Sequence, residues 1–184
     1  MEEKKGLKYF IRITCTLIAI AAVMAFALAA VNAATKDKIA ENNIAEMNAV
    51  ISKIFGDGIK SEEIEADVSG SVKEVYGITK DGEFQGYAVK CAPMGFKAEI
   101  EMIVGVLPDG SCKAVRVISL SETPGLGAKV ADDAFISQFD GTSGGLEVKV
   151  NINEVAGATI SSRAVTGAVN EAIDLVKSIG GEGR

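Results

Sequence analysis

Histidine and tryptophan are absent from this chain, proline and cysteine occur three times each, and aromatic residues make up 5% of its 184 positions. Without histidine there is no Ser-His or Cys-His nucleophilic pair, and the commonest metal ligand is missing, so hydrolytic and zinc-type chemistry fit poorly. Cys15, Cys91 and Cys112 contain no Cys-x-x-Cys spacing, which excludes a local metal clip or dithiol redox motif. Cys91 and Cys112 leave two readings: one disulfide in an oxidising compartment, or two small buried apolar side chains. Basic residues are also short, 19 against 25 acidic, and the net charge of −6 with no basic stripe excludes nucleic acid as a partner. The acids are many but scattered: Glu62, Glu63 and Glu65 read as a solvated run, with no paired set for a metal or for glycoside cleavage. No Gly-x-Gly-x-x-Gly follows a strand, and no Gly-Lys-Ser/Thr closes a phosphate loop.

What is plentiful is apolar surface, 48% of residues, and part of it is concentrated at the start. From Ile13 to Ala34 there is no charged residue, and as a helix these 22 positions rise about 33 Å, enough to cross the hydrocarbon core of a bilayer. Val31-Asn32-Ala33 resembles a signal cleavage site, yet the apolar run exceeds the roughly 7–15 residues of a signal core, so it reads as an uncleaved anchor. Lys4, Lys5, Lys8 and Arg12 precede the span and Lys36, Lys38 and Lys53 follow it, a bias that puts the N-terminus in the cytoplasm. The expected organisation is a cytoplasmic tail and transmembrane anchor over 1–35 and an extracytoplasmic domain over 36–184.

Along that domain, Lys36 to Phe55 carries Ile39, Met47, Val50, Ile51 and Ile54 at helical spacing and stops at Gly56-Asp57-Gly58. Glu62 to Ser71 is acidic and reads as a surface connection. Val72–Ile78 and Phe84–Ala92 flank the hairpin signal Lys80-Asp81-Gly82-Glu83, and Glu99–Leu107 and Lys113–Leu120 flank Pro108-Asp109-Gly110-Ser111, which predicts a four-stranded meander. Ala131–Phe139 reads as a short helix, and Leu146–Asn151 as a last strand. Ala164, Val165, Ala168, Val169, Ala172, Ile173 and Val176 then form an apolar stripe on a final helix. Strands first and a helix last, joined by hairpins, predict an α+β domain with an antiparallel sheet.

Two segments stand out as sites. In Val155-Ala156-Gly157-Ala158-Thr159-Ile160-Ser161-Ser162, small residues leave the backbone open ahead of a helix whose positive N-terminal end suits an anion. In Ser121-Glu122-Thr123-Pro124-Gly125-Leu126-Gly127-Ala128-Lys129, Pro124 and Gly125 signal a turn. Between the two hairpins, Pro93-Met94-Gly95-Phe96-Lys97 resembles a degenerate Gly-Tyr-Gly-Gly segment that would help shape a pocket, and no site residue is taken from it.

Gly157-Ala158-Thr159 resembles the Ser/Thr-Gly-Ala-Thr motif of FMN-binding domains, and together with Glu122-Thr123-Pro124-Gly125-Leu126-Gly127 it resembles the G subunit of the Rnf electron-transport complex. Ala156 stands where that motif has Ser or Thr, and Asn153 where an acidic residue is common. The resemblance implies that a flavin transferase, using FAD as donor, esterifies Thr159 to the FMN phosphate. It further implies that Gly157 and Ala158 supply close-approach backbone, that Ser161 and Ser162 cap the helix or meet the phosphate, that Glu122, Thr123, Pro124, Gly125, Leu126 and Gly127 border the flavin ring, and that Lys129 balances the phosphate charge. The implied role is electron relay among membrane subunits of an ion-translocating ferredoxin:NAD complex in a bacterial or archaeal cytoplasmic membrane, with no catalysis by the chain alone. Two alternatives remain: the C subunit of a sodium-translocating NADH:quinone oxidoreductase, whose chain is typically longer, and an anchored ligand-binding or docking module.

Overall fold

The computed structural model describes residues 2–181, with side chains at 12–36, 38 and 44–180. Lys4, Lys5, Lys8 and Ile39 lie outside the described side chains. The chain divides into two compact units, Met1–Ala45 and Glu46–Arg184.

Helix α1 runs Glu2–Phe55. No glycine or proline occurs between Leu7 and Phe55, so nothing separates the apolar helix from the one expected at 36–55, and the two are continuous. Its stretch Arg12–Lys36 has a mean hydropathy of 2.4 and is exposed throughout, long and apolar enough to span a membrane. The helix stops where Gly56 turns to φ 91°, its N–H bonding the Ser52 carbonyl at 2.7 Å.

The second unit is built on one antiparallel sheet of five strands in sequential order: β1 (Ile59–Glu63), β2 (Val72–Lys80), β3 (Glu83–Cys91), β4 (Ile100–Val106) and β5 (Cys112–Leu120). The β2–β3 hairpin forms at Lys80–Glu83, where Asp81 and Gly82 both take positive φ, the geometry that matches strand twist. Strand β1 corrects the reading of Glu62–Ser71 as a bare connection: Glu62 and Glu63 pair with Gly77 and Tyr76. An edge strand with one face in water accepts charged side chains, which is why composition concealed it.

Each face of the sheet is covered by a helix. Met47, Val50, Ile51, Ile54 and Phe55 of α1 pack with Ile78, Ala88 and Ile103 on one face, which bears out the amphipathic pattern over the described part of 36–55. Helix α3 (Thr159–Gly181) covers the other: Val165, Ala168, Val169, Ala172, Ile173 and Val176 are buried with Val75, Val89, Met102, Val104 and Val115. The short helix α2 (Asp133–Ile136), flanked by 3-10 turns, closes this core with Phe135 and Phe139, whose rings meet edge to face at 5.4 Å.

No strand forms at Leu146–Asn151, contrary to expectation. One isolated bridge joins Val148 to Ile152, and Lys149 takes φ 72°. Side chains supply the backbone partners that a ladder would give: Asn170 of α3 accepts from Leu146 N–H at 2.9 Å and donates to its carbonyl at 2.8 Å, while Asn151 accepts from Glu147 N–H at 2.7 Å.

Cys91 lies opposite Met102 and Cys112 opposite Val106, on strands that both flank β4. Two strand spacings separate them sideways by about 10 Å, far beyond what a disulfide spans. Both thiols are buried, and burial pushes each up to about 12, helped by the Glu171 carboxylate near Cys91 and Asp140 near Cys112. A thiol reagent applied to the folded protein should therefore leave Cys91 and Cys112 unlabelled, and reductant should not move the melting temperature. Rapid labelling of either, or a shift with reductant, would contradict this arrangement.

Candidate functional site

The site begins with a turn. Ala158 N–H bonds the Val155 carbonyl at 2.9 Å, closing Val155-Ala156-Gly157-Ala158 with Gly157 at φ 77°. A third turn residue at positive φ is the signature of a type II turn, and glycine takes it without strain. The turn delivers the chain into α3 with Thr159 as its first residue. The earliest N–H groups of a helix have no partner within it, so an anion placed here meets free donors and the positive end of the dipole.

The two serines behind Thr159 are committed inward. Ser162 is fully buried and its hydroxyl accepts the Val155 N–H at 3.1 Å, pinning the turn to the helix. Ser161, 1% exposed, donates its hydroxyl to Glu122 Oε2 at 3.0 Å. Both cap the loop from within the first helical turn, and neither points its hydroxyl outward as a free phosphate donor.

Glu122 is the keystone of the second segment. It is buried, and Oε1 accepts the Lys97 N–H at 3.0 Å. Burial alone would push its carboxyl up, but hydrogen bonds from Lys97 N–H, the Ser161 hydroxyl, and the Ala98 and Phe96 N–H groups hold it below the ordinary carboxylate value. One carboxylate thus ties the 93–98 loop, its own turn and the start of α3 together. Gly95 and Gly127 make room for it, since a Cβ at either would fall on Glu122 oxygens.

These segments enclose a hollow of about 320 Å³ lined by Phe96, Glu122, Thr123, Leu126, Gly127, Gly157, Ala158, Thr159, Ile160 and Ser161. Eight of the sequence-derived residues line it: Glu122, Thr123, Leu126, Gly127, Gly157, Ala158, Thr159 and Ser161. Pro124 and Gly125 lie in the turn that carries Leu126, with Leu126 N–H bonding the Thr123 carbonyl at 3.2 Å. Ser162 sits behind the wall. Lys129 faces a neighbouring hollow with Asp132, Gln138, Asn153 and Glu154. Phe96 and Ile160 complete the lining. Phe96 lies in the 93–97 segment, from which the sequence reading takes no site residue, and Ile160 gave no signal beyond its place after the threonine.

The residues suit a flavin mononucleotide. The mouth is apolar, with Phe96 69%, Leu126 47% and Ile160 53% exposed, as a flat aromatic ring to be covered requires. The floor ends at a helix N-terminus for the phosphate. Among the described residues no group of three His, Cys, Asp or Glu could hold a metal ion.

Glu154 adds a feature that motif reading passed over. The turn folds it back toward Thr159, its Oε1 lies 3.1 Å from Lys149 Nζ, and its Oε2 is buried with no well-formed hydrogen bond. The contact with the Thr159 hydroxyl is looser than a full hydrogen bond, yet it is the chief influence lowering the Glu154 carboxyl, ahead of Lys149; Arg163 contributes least. Asn153 is turned away, its N–H bonding Gln138 Oε1 at 2.8 Å.

The FMN-binding domain family matches residues 95–174. The chain is 31% identical to the G subunit of the Na(+)-translocating ferredoxin:NAD(+) oxidoreductase complex of Acetobacterium woodii, covering 94% of each chain. It is 30% identical to the proton-translocating counterpart from Clostridium ljungdahlii, over 98% of this chain and 99% of that one. The crystal structure of Shewanella oneidensis NqrC superposes with a TM-score of 0.53 over 71% of this chain and 86% of that one, at 19% identity, a likeness of fold.

Proposed function

This chain belongs to the family of G subunits of ion-translocating ferredoxin:NAD(+) oxidoreductase complexes, and from that premise we propose that its FMN is carried covalently, as a phosphoester on Thr159. It is a membrane-associated flavoprotein that transfers electrons as one component of such a complex, with the other membrane subunits as partners. The observation that carries the covalent reading is the place of Thr159: a half-buried hydroxyl on the hollow's edge, at the first residue of α3, where an attached phosphate would meet free N–H groups.

The bound flavin supplies one- and two-electron chemistry, and the protein's part is to hold and shield it. Gly157 and Ala158 would leave backbone open beside the phosphate, and Phe96, Leu126 and Ile160 would pack the ring. Glu122 fixes the loops that carry them. The N-terminus is cytoplasmic and residues 36–184 lie on the other side, where a flavin transferase matures the site; the complex couples the electron transfer to ion movement.

Mass spectrometry of the full chain co-produced with a flavin transferase tests this. The expected result is a mass increase of one FMN phosphoester on the peptide containing Thr159. An unmodified chain that still copurifies with flavin, under conditions that flavinylate a known acceptor, would replace covalent with noncovalent binding. A chain without flavin that still binds its partner subunits would make it a docking module.

A further inference from the structure

We propose that Glu154 is the proton acceptor for Thr159 when the flavin is attached, a role the chain supplies to its own modification. The inference rests on the covalent reading above. Its basis is the geometry of the turn: hydrogen bonds from Ala158 N–H to the Val155 carbonyl at 2.9 Å and from Val155 N–H to the Ser162 hydroxyl at 3.1 Å lock the four residues between Glu154 and Thr159. The two side chains are therefore brought face to face by a rigid connection.

The carboxylate is divided in use. Oε1 is taken by Lys149 at 3.1 Å, while Oε2 is buried and without a formed hydrogen bond. A buried, unsatisfied carboxylate oxygen is costly, and it persists where it has something to do. The hydroxyl that meets this carboxylate belongs to Thr159. The other carboxylate on the hollow is not available to that hydroxyl, because both oxygens of Glu122 are engaged by Lys97 N–H and Ser161.

The step balances simply. A flavin adenine dinucleotide donor loses its pyrophosphate P–O bond, Thr159 Oγ1 forms the new bond to the flavin-side phosphorus, adenosine monophosphate leaves, and the hydroxyl proton passes to the Glu154 carboxylate. Lys149 then faces a neutral acid and can turn its charge toward the new phosphodiester. Attachment neither oxidises nor reduces the flavin.

The experiment compares wild type, Glu154→Gln and Glu154→Asp as full-length acceptors for the transferase, with initial rates of adduct formation read by mass spectrometry at varied acceptor concentration. Glutamine keeps the shape and can accept a hydrogen bond but cannot take the proton, so kcat should fall by about 10²-fold with KM for the acceptor unchanged. Aspartate keeps the carboxylate and should recover part of the rate. Unchanged melting temperatures would exclude unfolding as the cause. Equal kcat for wild type and Glu154→Gln would overturn the proposal while leaving covalent attachment intact. No adduct on the wild type would overturn both together.

Discussion

Thr159→Ala should bring covalent flavin from one per chain to none while leaving the domain folded. A methyl group cannot attack phosphorus, and the other hydroxyls near the hollow are poor substitutes. Ser161 and Ser162 are buried and engaged with Glu122 and Val155, and Thr166, buried deeper in α3, donates to the Ser162 carbonyl at 2.8 Å. Thr123 is the exception, exposed and on the lining. It lies in the turn ahead of a short 3-10 helix rather than at the start of α3, so a phosphate there would lack the donors of the long helix. Thr159→Ser keeps the nucleophile and should still be modified. The stability change for alanine should stay within about 1 kcal/mol, because the lost contact to Glu154 is loose and alanine favours a helix slightly over threonine. Peptide mass spectrometry and a thermal melt check both halves; an adduct persisting on Thr123 in Thr159→Ala would sink the assignment of the attachment residue.

How far residues spoke before the structure depends on what kind of information they carry. The α+β architecture, both hairpins and the stripe on α3 were legible because each rests on local periodicity or turn chemistry, and the observed strands differ from the expected ones by one or two residues at their ends. Strand β1 and the irregular 146–152 segment were not, because their hydrogen-bond partners follow no local pattern: β2 in one case, the Asn151 and Asn170 side chains in the other. The site divides the same way. Thr159, Gly157 and the Thr123–Gly127 turn were visible as strings, whereas the aim of each side chain was not. Ser162 read as a cap or a phosphate donor and takes the capping role toward Val155, and Lys129 faces the hollow next door. Glu154, five residues before Thr159, belongs to no motif and acquires meaning only once the turn folds it back.

Glu122 illustrates the strongest such difference, and its replacement should carry the largest energetic penalty near the site. From sequence it reads as a residue bordering the ring; in the structure its side chain is consumed in joining three segments. Glu122→Leu would remove the acceptor for Lys97 N–H and the Ser161 hydroxyl and strip the support of the Ala98 and Phe96 N–H groups, leaving the buried Ser161 hydroxyl and a partly buried loop N–H unpaired. At roughly 1–3 kcal/mol for each unsatisfied buried group, partly relieved by loop movement, the expected loss is about 3 kcal/mol. For a domain of this size that lowers the melting temperature by roughly 6–12 °C. Phe96 would lose its fixed place over the hollow, so flavin attachment should slow as well. Glu122→Gln is no remedy, because its amide presents donors to a ring of donors.

The same carboxylate sets an acid limit. Its folded-state value lies below the ordinary one, so between the two the unfolded chain binds more protons than the folded chain, and stability rises with pH through that window. The contribution is complete at neutral pH and disappears as the pH falls through the folded value. Wild type should therefore lose stability below about pH 4.5 more steeply than Glu122→Leu, which has no such group to protonate. Parallel denaturant melts from pH 7 to pH 3 would measure it. If the two acid limbs have the same slope, or Glu122→Leu melts with wild type at pH 7, then Glu122 is not what binds the 93–98 loop, the Thr123–Gly127 turn and the start of α3 into one flavin site.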